Sequence, residues 1–287
     1  MATSASVPPS FAVTGASGFV GRAVLSALVE RGVDVVAVTR DGRRLADFEG
    51  RARILEGDIS HPGSKLCNTL LQQDVLIHLA WDGLPNYRSL HHFETELPKH
   101  YRFLKELVVS GCKTIVVTGT CFEYGMQNGE LSETFICVPS NPYGFAKDVL
   151  RRELEFLQSS HPFNLTWTRL FYMYGEGQSV KSIFSLLSAA VKRGDTHFDM
   201  SGGEQIRDYL HVNDVAKSIV QLSCLERSLG IVNVCSGAPR TIRGIVEGWI
   251  TDNNWEIELR LGRFTYPDYE PFAFWGNSDK FHTLLPS

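Results

Sequence analysis

Short apolar runs alternate with stretches of helical periodicity through the first 170 residues of the chain. The apolar runs, which predict strands, are residues 11–14, 33–39, 52–56, 75–79, 114–118 and 165–169. Apolar residues at spacings of three and four predict helices at residues 20–31, 101–110 and 145–157. Because buried parallel strands are joined by crossover helices, this alternation predicts an α/β fold with a Rossmann-like, doubly wound parallel sheet.

The C-terminal third follows a looser pattern. A predicted helix at 179–193 precedes a turn-rich stretch, a strand and helix up to residue 222, and a further strand at 231–234. A length of 287 residues suits one large domain or two closely packed ones. We expect residues 11–175 and 211–237 to form a dinucleotide-binding and catalytic domain. Residues 176–210 and 238–287 should form a smaller substrate-binding lobe over the carboxyl ends of the strands.

Charge and composition argue against several classes of partner. The formal net charge is −4, so the chain has no basic surplus for nucleic acid or an anionic membrane surface. No stretch reaches the roughly 20 apolar residues that span a bilayer. Residues 1–10 lack the basic start and apolar run of a secretory signal, so we expect a frayed terminus.

Cysteine and histidine spacing bears on metals and on the cellular compartment. The six cysteines are scattered without a Cys-x-x-Cys pair, which argues against a zinc site or a disulfide framework and indicates a reduced, cytoplasmic protein. The nine histidines show no metal-ligand spacing, so no metal is expected. The adjacent pair His91 and His92 is interpreted as solvated.

A glycine-rich turn joins the first predicted strand to the first predicted helix. Gly15, Gly18 and Gly21 there permit a tight turn and a close approach of backbone to a pyrophosphate, and the helix N-terminus offers backbone amides. A glycine triplet alone is weak evidence, but its place between a strand and an amphipathic helix predicts a dinucleotide site. Asp58, after the third predicted strand, could accept from the adenine amino group or could cap a helix.

The end of the second predicted strand bears on which dinucleotide binds. A carboxylate about 20 residues beyond the glycines would bond the ribose 2′-hydroxyl of NAD(H), but Arg40 stands at that distance. A guanidinium can hold a 2′-phosphate, so NADPH (or NADP+) is favoured and NADH is the alternative. In that alternative Arg40, Arg43 and Arg44 form a solvated turn and Asp41 is the ribose ligand.

Tyr143 and Lys147 lie four residues apart, on one face of a predicted helix. Such a pair, taken alone, is usually two surface residues. A phenol has an ordinary pKa near 10, so acid–base chemistry near neutrality requires lowering that pKa by about two to three units. The ammonium group of Lys147 is placed to lower it.

Further motifs occur in the order typical of one enzyme family. They are residues 14–21, Gly57-Asp58-Ile59, His78-Leu79-Ala80, residues 118–125, Asn141-Pro142-Tyr143, residues 169–175, residues 207–216 and residues 233–237. With them, nearly the whole chain resembles the extended short-chain dehydrogenase/reductase family, the NAD-dependent epimerases and dehydratases of nucleotide sugars. The resemblance implies that Tyr143 is the general acid/base, that Lys147 binds the nicotinamide ribose and lowers the tyrosine pKa, and that Thr120 bonds the substrate oxygen.

The two residues after Thr120 bear on the type of reaction. Sugar 4,6-dehydratases of this family carry an Asp-Glu pair there, because loss of water needs both an acid and a base. Cys121 and Phe122 stand at those positions, which argues against a dehydratase, and Glu123 is expected to point away from the direction of Phe122. Hydride transfer remains, once outward in a reductase or twice within one site in an epimerase.

Three features favour a net reductase: Arg40, a short C-terminal lobe, and local sequences that resemble bacterial dTDP-4-dehydro-6-deoxyhexose 4-reductases. Those sequences are residues 81–87, 118–125 and 274–276. The resemblance implies NADPH-dependent reduction of the 4-keto group of a nucleotide-activated 6-deoxyhexose, as in the formation of dTDP-fucose or dTDP-6-deoxy-L-talose for surface polysaccharides. The alternatives are a nucleotide-sugar 4-epimerase that retains its NAD(P) and a non-catalytic NADP(H)-sensing protein. A homodimer through the helix of the catalytic tyrosine is also implied.

The predicted site residues fall into two sets. The expected cofactor-binding residues are Gly15, Ser17, Gly18, Phe19, Val20, Arg40, Asp58, Ile59, Leu79, Ala80, Trp81, Thr118, Tyr143 and Lys147. The expected substrate-binding residues are Trp81, Tyr87, Thr120, Phe122, Tyr172 and Arg207. Arg207 matches the diphosphate-binding arginine of the family, with a structural turn of Arg207 and Asp208 as the alternative. Tyr172 stands where the family often has asparagine, and Glu96 falls near another such position.

Overall fold

The computed structural model describes residues 8–268 and 270–285. Residues 1–7, most of the predicted frayed terminus, lie outside the described residues, and so do residues 269, 286 and 287 of the predicted lobe. The helices are α1 (Phe19–Glu30), α2 (Ser64–Leu71), α3 (Leu97–Val109), α4 (Pro142–Ser160), α5 (Ile183–Arg193), α6 (Val212–Ser223), α7 (Ile242–Asp252) and α8 (Asp279–Leu284).

The strands include a main set and several short pairs. They are β1 (Phe11–Thr14), β2 (Val35–Thr39), β3 (Arg53–Glu56), β4 (Val75–His78), β5 (Thr114–Thr120), β6 (Gly129–Leu131), β7 (Asn164–Leu170), β8 (Tyr172–Tyr174), β9 (His197–Asp199), β10 (Ile206–Arg207), β11 (Tyr209–His211), β12 (Gly230–Val234), β13 (Arg240–Thr241), β14 (Glu258–Arg260) and β15 (Phe274–Gly276).

Within the described residues, seven strands form one parallel sheet in the order β12-β7-β5-β4-β1-β2-β3. The order reverses at β1, from which the chain winds in both directions, so the predicted doubly wound α/β fold is confirmed. Residues of β1, β2 and β4 are buried on both faces because helices cover the sheet on each side. One hydrophobic cluster joins the sheet to α1 and α6, and a second joins it to α2, α3 and α4.

The helix starts differ most from the sequence prediction. Helix α4 begins three residues early because Asn141 caps it, accepting a hydrogen bond from the Gly144 amide at 2.9 Å, and this places Tyr143 in the first turn. Helix α3 is preceded by one turn of π-helix, His92–Glu96, which a periodicity of three and four does not detect. Strand β5 continues to Thr120, so it carries that hydroxyl to the carboxyl edge of the sheet.

The C-terminal part contributes to two different cores. Helix α6 packs beside α1, and β12 extends the main sheet next to β7. A separate hydrophobic cluster around Leu187, Val246 and Trp249 joins α5 and α7 into a smaller lobe. The domain boundaries stay a prediction. None of the described helices is long and apolar enough to cross a membrane.

Candidate active site

A groove runs along the carboxyl ends of the parallel strands, where open α/β sheets bind ligands. It consists of two adjoining pockets with volumes of about 200 Å³ and 380 Å³. Residues Gly15, Gly18, Leu79 and Trp81 line both pockets, so the two are continuous. The first pocket lies beside the end of β2, and the second lies between β5 and α4.

The groove collects nearly all the residues predicted for the site. The first pocket is lined by Gly15, Ser17, Gly18, Arg40, Asp58, Ile59, Leu79, Ala80 and Trp81. The second is lined by Phe19, Val20, Trp81, Tyr87, Thr118, Thr120, Phe122, Tyr143, Lys147 and Tyr172. Of the predicted residues, only Arg207 lines neither of these two pockets.

The glycine-rich turn has the shape of a dinucleotide cradle. Gly15 has a φ of 70°, and a side chain on it would place its Cβ 2.7 Å from the Ala80 nitrogen. A Cβ on Gly21 would lie only 2.1 Å from the Gly15 oxygen. Gly18 precedes α1 without a side-chain cap, so the first amides of that helix stay available to a phosphate. The residues present therefore fit the pyrophosphate of a dinucleotide.

Two arginines line the first pocket, where the adenosine of the cofactor is expected. Arg40 donates to both carboxylate oxygens of Asp82, at 2.9 and 3.0 Å, and its side chain is 63% exposed. Arg44 reaches the backbone oxygen of Ser17 at 3.1 Å. Asp41, the alternative ribose ligand, has both carboxylate oxygens bonded to Arg43, at 2.9 and 3.0 Å.

Asp58 faces the first pocket but caps no described helix. Its carboxylate accepts from the Ser60 amide at 2.8 Å, and this bond lowers the pKa of the carboxyl group. Helix α2 begins only at Ser64, with Gly63 as its N-cap. The helix-cap interpretation of Asp58 is therefore wrong, because its carboxylate accepts instead from the amide two residues later, in a local turn.

Tyr143 and Lys147 lie side by side on the buried face of α4. Burial raises the pKa of the Tyr143 phenol, while the Thr120 hydroxyl acts in the opposite direction. Lys147 donates to the Thr118 backbone oxygen at 2.8 Å. Burial lowers the pKa of its ammonium group to about 7, against the opposing effect of Glu123. The tyrosine pKa is thus raised in this structure, where a lowering by Lys147 was expected, because burial outweighs the neighbouring groups that lower it.

The residues after Thr120 form a short 3₁₀ turn with a capping box. Thr120 accepts from the Phe122 amide at 3.3 Å, and Glu123 accepts from the Thr120 amide at 2.8 Å. The Glu123 carboxylate is completely buried against Arg169 at 2.7 Å and Trp167 at 3.0 Å, so it points away from the groove, as expected. Burial raises the pKa of the Cys121 thiol well above its usual range.

Aromatic side chains form the wall of the second pocket. The ring of Tyr87 lies 4.8 Å from that of Phe122 and 5.6 Å from that of Tyr143. The ring centroids of Phe122 and Tyr172 lie 6.4 Å apart in an edge-to-face arrangement. These rings line the same pocket as Tyr143.

Arg207 is buried, with only 2% of its side chain exposed. It donates to the Glu270 carboxylate at 2.8 Å and to the backbone oxygens of Ile206 and Phe272 at 2.8 and 3.0 Å. Asp208 is not its partner, since that carboxylate binds backbone amides, including Ser236 at 2.7 Å. A phosphate role for Arg207 therefore requires that Glu270 be displaced, and it stays a prediction.

Sequence reasoning missed several side chains at the site. His92 is fully buried and bonded to Trp81, so its interpretation as a solvated residue is wrong. His92, Glu96 and His100 recur every four residues, a spacing that could have indicated one inward helix face. Glu270 and Asp82 had no signal, because their arginine partners are 63 and 42 residues away in sequence.

The sequence also matches a known family model. Residues 11–235 match the model described as "NAD dependent epimerase/dehydratase family". The chain belongs to this family. The glycine cradle, Tyr143 and Lys147 all lie within the matched part, so the protein is an enzyme of the NAD dependent epimerase/dehydratase family.

Several members of the family are similar over most of the chain. A protein of Aggregatibacter actinomycetemcomitans named "dTDP-6-deoxy-L-talose 4-dehydrogenase (NAD(+))" is 33% identical, over 92% of this chain and 98% of its own. The "dTDP-4-dehydro-6-deoxyglucose reductase" of Escherichia coli is 24% identical, over 82% and 79%. The solved structure "MoeE5 in complex with UDP-glucuronic acid and NAD" is 26% identical with a TM-score of 0.77, over 96% and 92%.

Proposed function

We propose that this enzyme reduces the 4-keto group of a nucleotide-activated 4-dehydro-6-deoxyhexose, linked to dTDP, with NADPH as the reductant. The Aggregatibacter relative is named for a 4-dehydrogenase reaction on a dTDP-6-deoxy sugar, which is the reverse of such a reduction. The Escherichia coli relative is named for reduction itself. Both names therefore support a redox reaction at carbon 4 of a dTDP-linked 6-deoxy sugar.

The residues of the turn after Thr120 favour hydride transfer over dehydration. Dehydration requires a second acid and base beside the tyrosine. Cys121 is a buried thiol with a raised pKa, Phe122 has no proton to give, and Glu123 is held by Arg169 away from the groove. These residues leave a site equipped for hydride transfer alone.

The chain's own residues account for the proton in this proposal. Bound NADPH would supply the hydride to the carbonyl carbon. Thr120 and Tyr143 line the same pocket and can donate hydrogen bonds to the carbonyl oxygen as negative charge develops on it. The Tyr143 phenol is protonated near neutral pH, as a proton donor must be at the start of a reduction, and in this proposal Lys147 offsets the rise in its pKa that burial causes. Lys147 would bind the nicotinamide ribose.

NADPH is proposed because of the adenosine end of the groove. Arg40 and Arg44 both line the first pocket, and together they can offer several donors to a 2′-phosphate. NADH is the alternative cofactor, supported by the NAD(+) in the name of the Aggregatibacter relative and by NAD in the MoeE5 complex.

Two further proposals concern the setting of the enzyme. The scattered cysteines support a location in the cytoplasm. A homodimer through α4 is supported by two exposed aromatic side chains of that helix, Phe145 at 47% and Phe156 at 78%.

The decisive assay combines the purified protein, dTDP-4-dehydro-6-deoxyglucose and NADPH, followed by the nicotinamide absorbance. We expect stoichiometric loss of absorbance together with formation of a dTDP-6-deoxyhexose. Interconversion of nucleotide sugars without net oxidation of NADPH would instead identify a 4-epimerase. Absence of turnover with any nucleotide sugar, while NADPH still binds, would support the sensing protein.

Tyr143→Phe tests the assignment of the proton donor. The substitution removes one hydroxyl from a pocket whose other contacts stay the same, so kcat should fall by about 100- to 10,000-fold while the NADPH Kd changes less than about threefold. Single-turnover kinetics and a separate binding titration measure the two quantities. Retained turnover would mean that another group supplies the proton.

A further inference from the structure

Trp81 occupies a central place in the groove, because its indole lines both pockets. The Lys147 ammonium nitrogen lies 4.0 Å from the centroid of the indole. The His100 ring stacks on the same indole at 4.6 Å with an interplanar angle of 15°. The indole N–H donates to the His92 Nδ1 at 3.1 Å. Two histidines therefore hold the plane of Trp81 in contact with the lysine.

The bonds of His92 specify its tautomer. Because Nδ1 accepts from Trp81, the proton of neutral His92 is on Nε2, which donates to the Asn86 backbone oxygen at 2.9 Å. A protonated ring would place an N–H against the indole N–H. Burial lowers the pKa of His92, which favours the neutral ring that this arrangement needs.

A second chain of buried hydrogen bonds orients His100. Its Nε2 lies 3.1 Å from a Glu96 carboxylate oxygen, and its Nδ1 lies 2.7 Å from the His78 Nε2. A carboxylate only accepts, so His100 donates from Nε2 and accepts at Nδ1. The donor to that Nδ1 is the Nε2–H of His78. The His78 Nδ1, 2.8 Å from the Thr14 hydroxyl, then accepts the last bond.

Glu96 is the common anchor of this arrangement. Although burial acts to raise its pKa, hydrogen bonds from His100, Lys99 and the Asp82 amide hold the pKa well below the usual range. The Asp82 amide, next in sequence to Trp81, donates to the carboxylate at 3.0 Å. The single turn of π-helix places His92 and Glu96 on this inward side.

Lys147 needs such support because it is buried with few partners. The residue is 2% exposed and its ammonium donates to the Thr118 oxygen, while Glu123 and Glu96 are the carboxylates whose charge acts on it. A π face at 4.0 Å attracts a desolvated cation. Tyr143 on the same helix and His100 are both neutral, so neither supplies a negative charge that would stabilise the ammonium.

We propose that His92, His100 and Glu96 are positioning residues, which fix the Trp81 indole as a π-face support for the charged form of Lys147. The proposal rests on the proposed function only in giving Lys147 a part in the reaction. The physical contact is independent of any substrate.

A titration of Lys147 tests the contact directly. Two-dimensional NMR of protein with isotope-labelled lysine, assigned with Lys147→Arg, should show this side chain titrating near the pKa of about 7. In His92→Leu the indole loses its acceptor, and the Lys147 pKa should fall by about one unit. In His92→Asn the Oδ1 atom replaces Nδ1 as acceptor, so the pKa should return to within about 0.3 units of the wild-type value.

A second pair of variants covers the case in which His92→Leu does not fold. Trp81→Phe and Trp81→Leu both replace the indole with a smaller apolar side chain, but only the first keeps a π face. The Lys147 pKa should be higher in Trp81→Phe than in Trp81→Leu by about half a unit or more. Equal values in these two variants, or an unchanged value in a folded His92→Leu, would overturn the proposal.

The kinetic readout separates this proposal from the proposed function. With an active reductase, His92→Leu should lower kcat about tenfold or more, and His92→Asn should restore most of it. If no nucleotide sugar is turned over but the lysine titration shifts as expected, the support of Lys147 stands and the proposed reaction fails. If the nucleotide sugar is turned over but the Lys147 titration does not shift, the proposed reaction stands and the support of Lys147 by Trp81 fails.

Discussion

Arg40 and Arg207 are both predicted phosphate ligands, yet their surroundings differ sharply. The side chain of Arg40 is 63% exposed and pairs with the half-exposed Asp82. Arg207 is 2% exposed and pairs with Glu270, which is 10% exposed. An exposed pair is worth about 0–1 kcal/mol, so Arg40 can exchange Asp82 for a phosphate at little cost.

A buried cation cannot exchange its partner so freely. If Glu270 left Arg207 without a replacement, a desolvated charge would remain unpaired, at a cost of several kcal/mol. An incoming anion that takes the place of Glu270 avoids this cost. If both arginines hold phosphates, Arg40 can take one without rearrangement, whereas Arg207 can do so only after Glu270 has moved.

The largest effect should come from Arg207→Leu, measured as stability. Removal of the guanidinium leaves the mostly buried Glu270 carboxylate without its cation. It also leaves the backbone oxygens of Ile206 and Phe272 without their donor. We expect the free energy of unfolding to fall by about 3 kcal/mol in a urea titration. Arg40→Ala is the matched control and should change it by less than about 0.5 kcal/mol. Similar small losses in both variants would remove the contrast between the two arginines.

Arg40→Ala should have its main effect on cofactor choice. Loss of a bidentate phosphate contact should raise the NADPH Kd by about 10- to 100-fold, or about 1.4–2.8 kcal/mol, and the NADH Kd by less than about threefold. Fluorescence titrations with both cofactors measure the ratio. Equal losses for the two cofactors would refute a 2′-phosphate role.

Glu270→Gln sharpens the comparison at the substrate end. The amide keeps a hydrogen-bond acceptor for Arg207 but removes the competing negative charge. If Arg207 holds a diphosphate, the Kd for dTDP should fall by about three- to tenfold in calorimetry, equal to about 0.7–1.4 kcal/mol. Weaker dTDP binding would show that Glu270 supports the nucleotide rather than competing with it.

The smallest effect should follow Asp82→Asn. This substitution removes the exposed counter-charge of Arg40 and should tighten NADPH binding by no more than about threefold. The gain should shrink as the ionic strength rises, because salt screens an exposed pair. A change larger than tenfold would show that Asp82 acts on the cofactor by more than its pairing with Arg40.

Several parts of the fold and site were accessible from the sequence because they depend on local signals. Apolar runs between helical stretches predict a parallel sheet, and the described strands begin and end within two residues of those runs. The glycine turn predicts its own backbone geometry, since Gly15 needs a positive φ and Gly21 has no room for a side chain. Tyr143 and Lys147 share a face because they lie one helical turn apart.

Other features depend on contacts between distant parts of the chain, which no local pattern reports. Whether an arginine is free or paired is decided by the residue that the fold brings beside it, Asp82 for Arg40 and Glu270 for Arg207. The π-helical turn that aims His92 at Trp81 is likewise invisible to a periodicity of 3.6. The amino-acid sequence by itself thus determined which chemical groups the groove contains. Only the tertiary structure decided their charge partners and exposure, because electrostatic interactions depend on distance and desolvation in space rather than on separation along the chain.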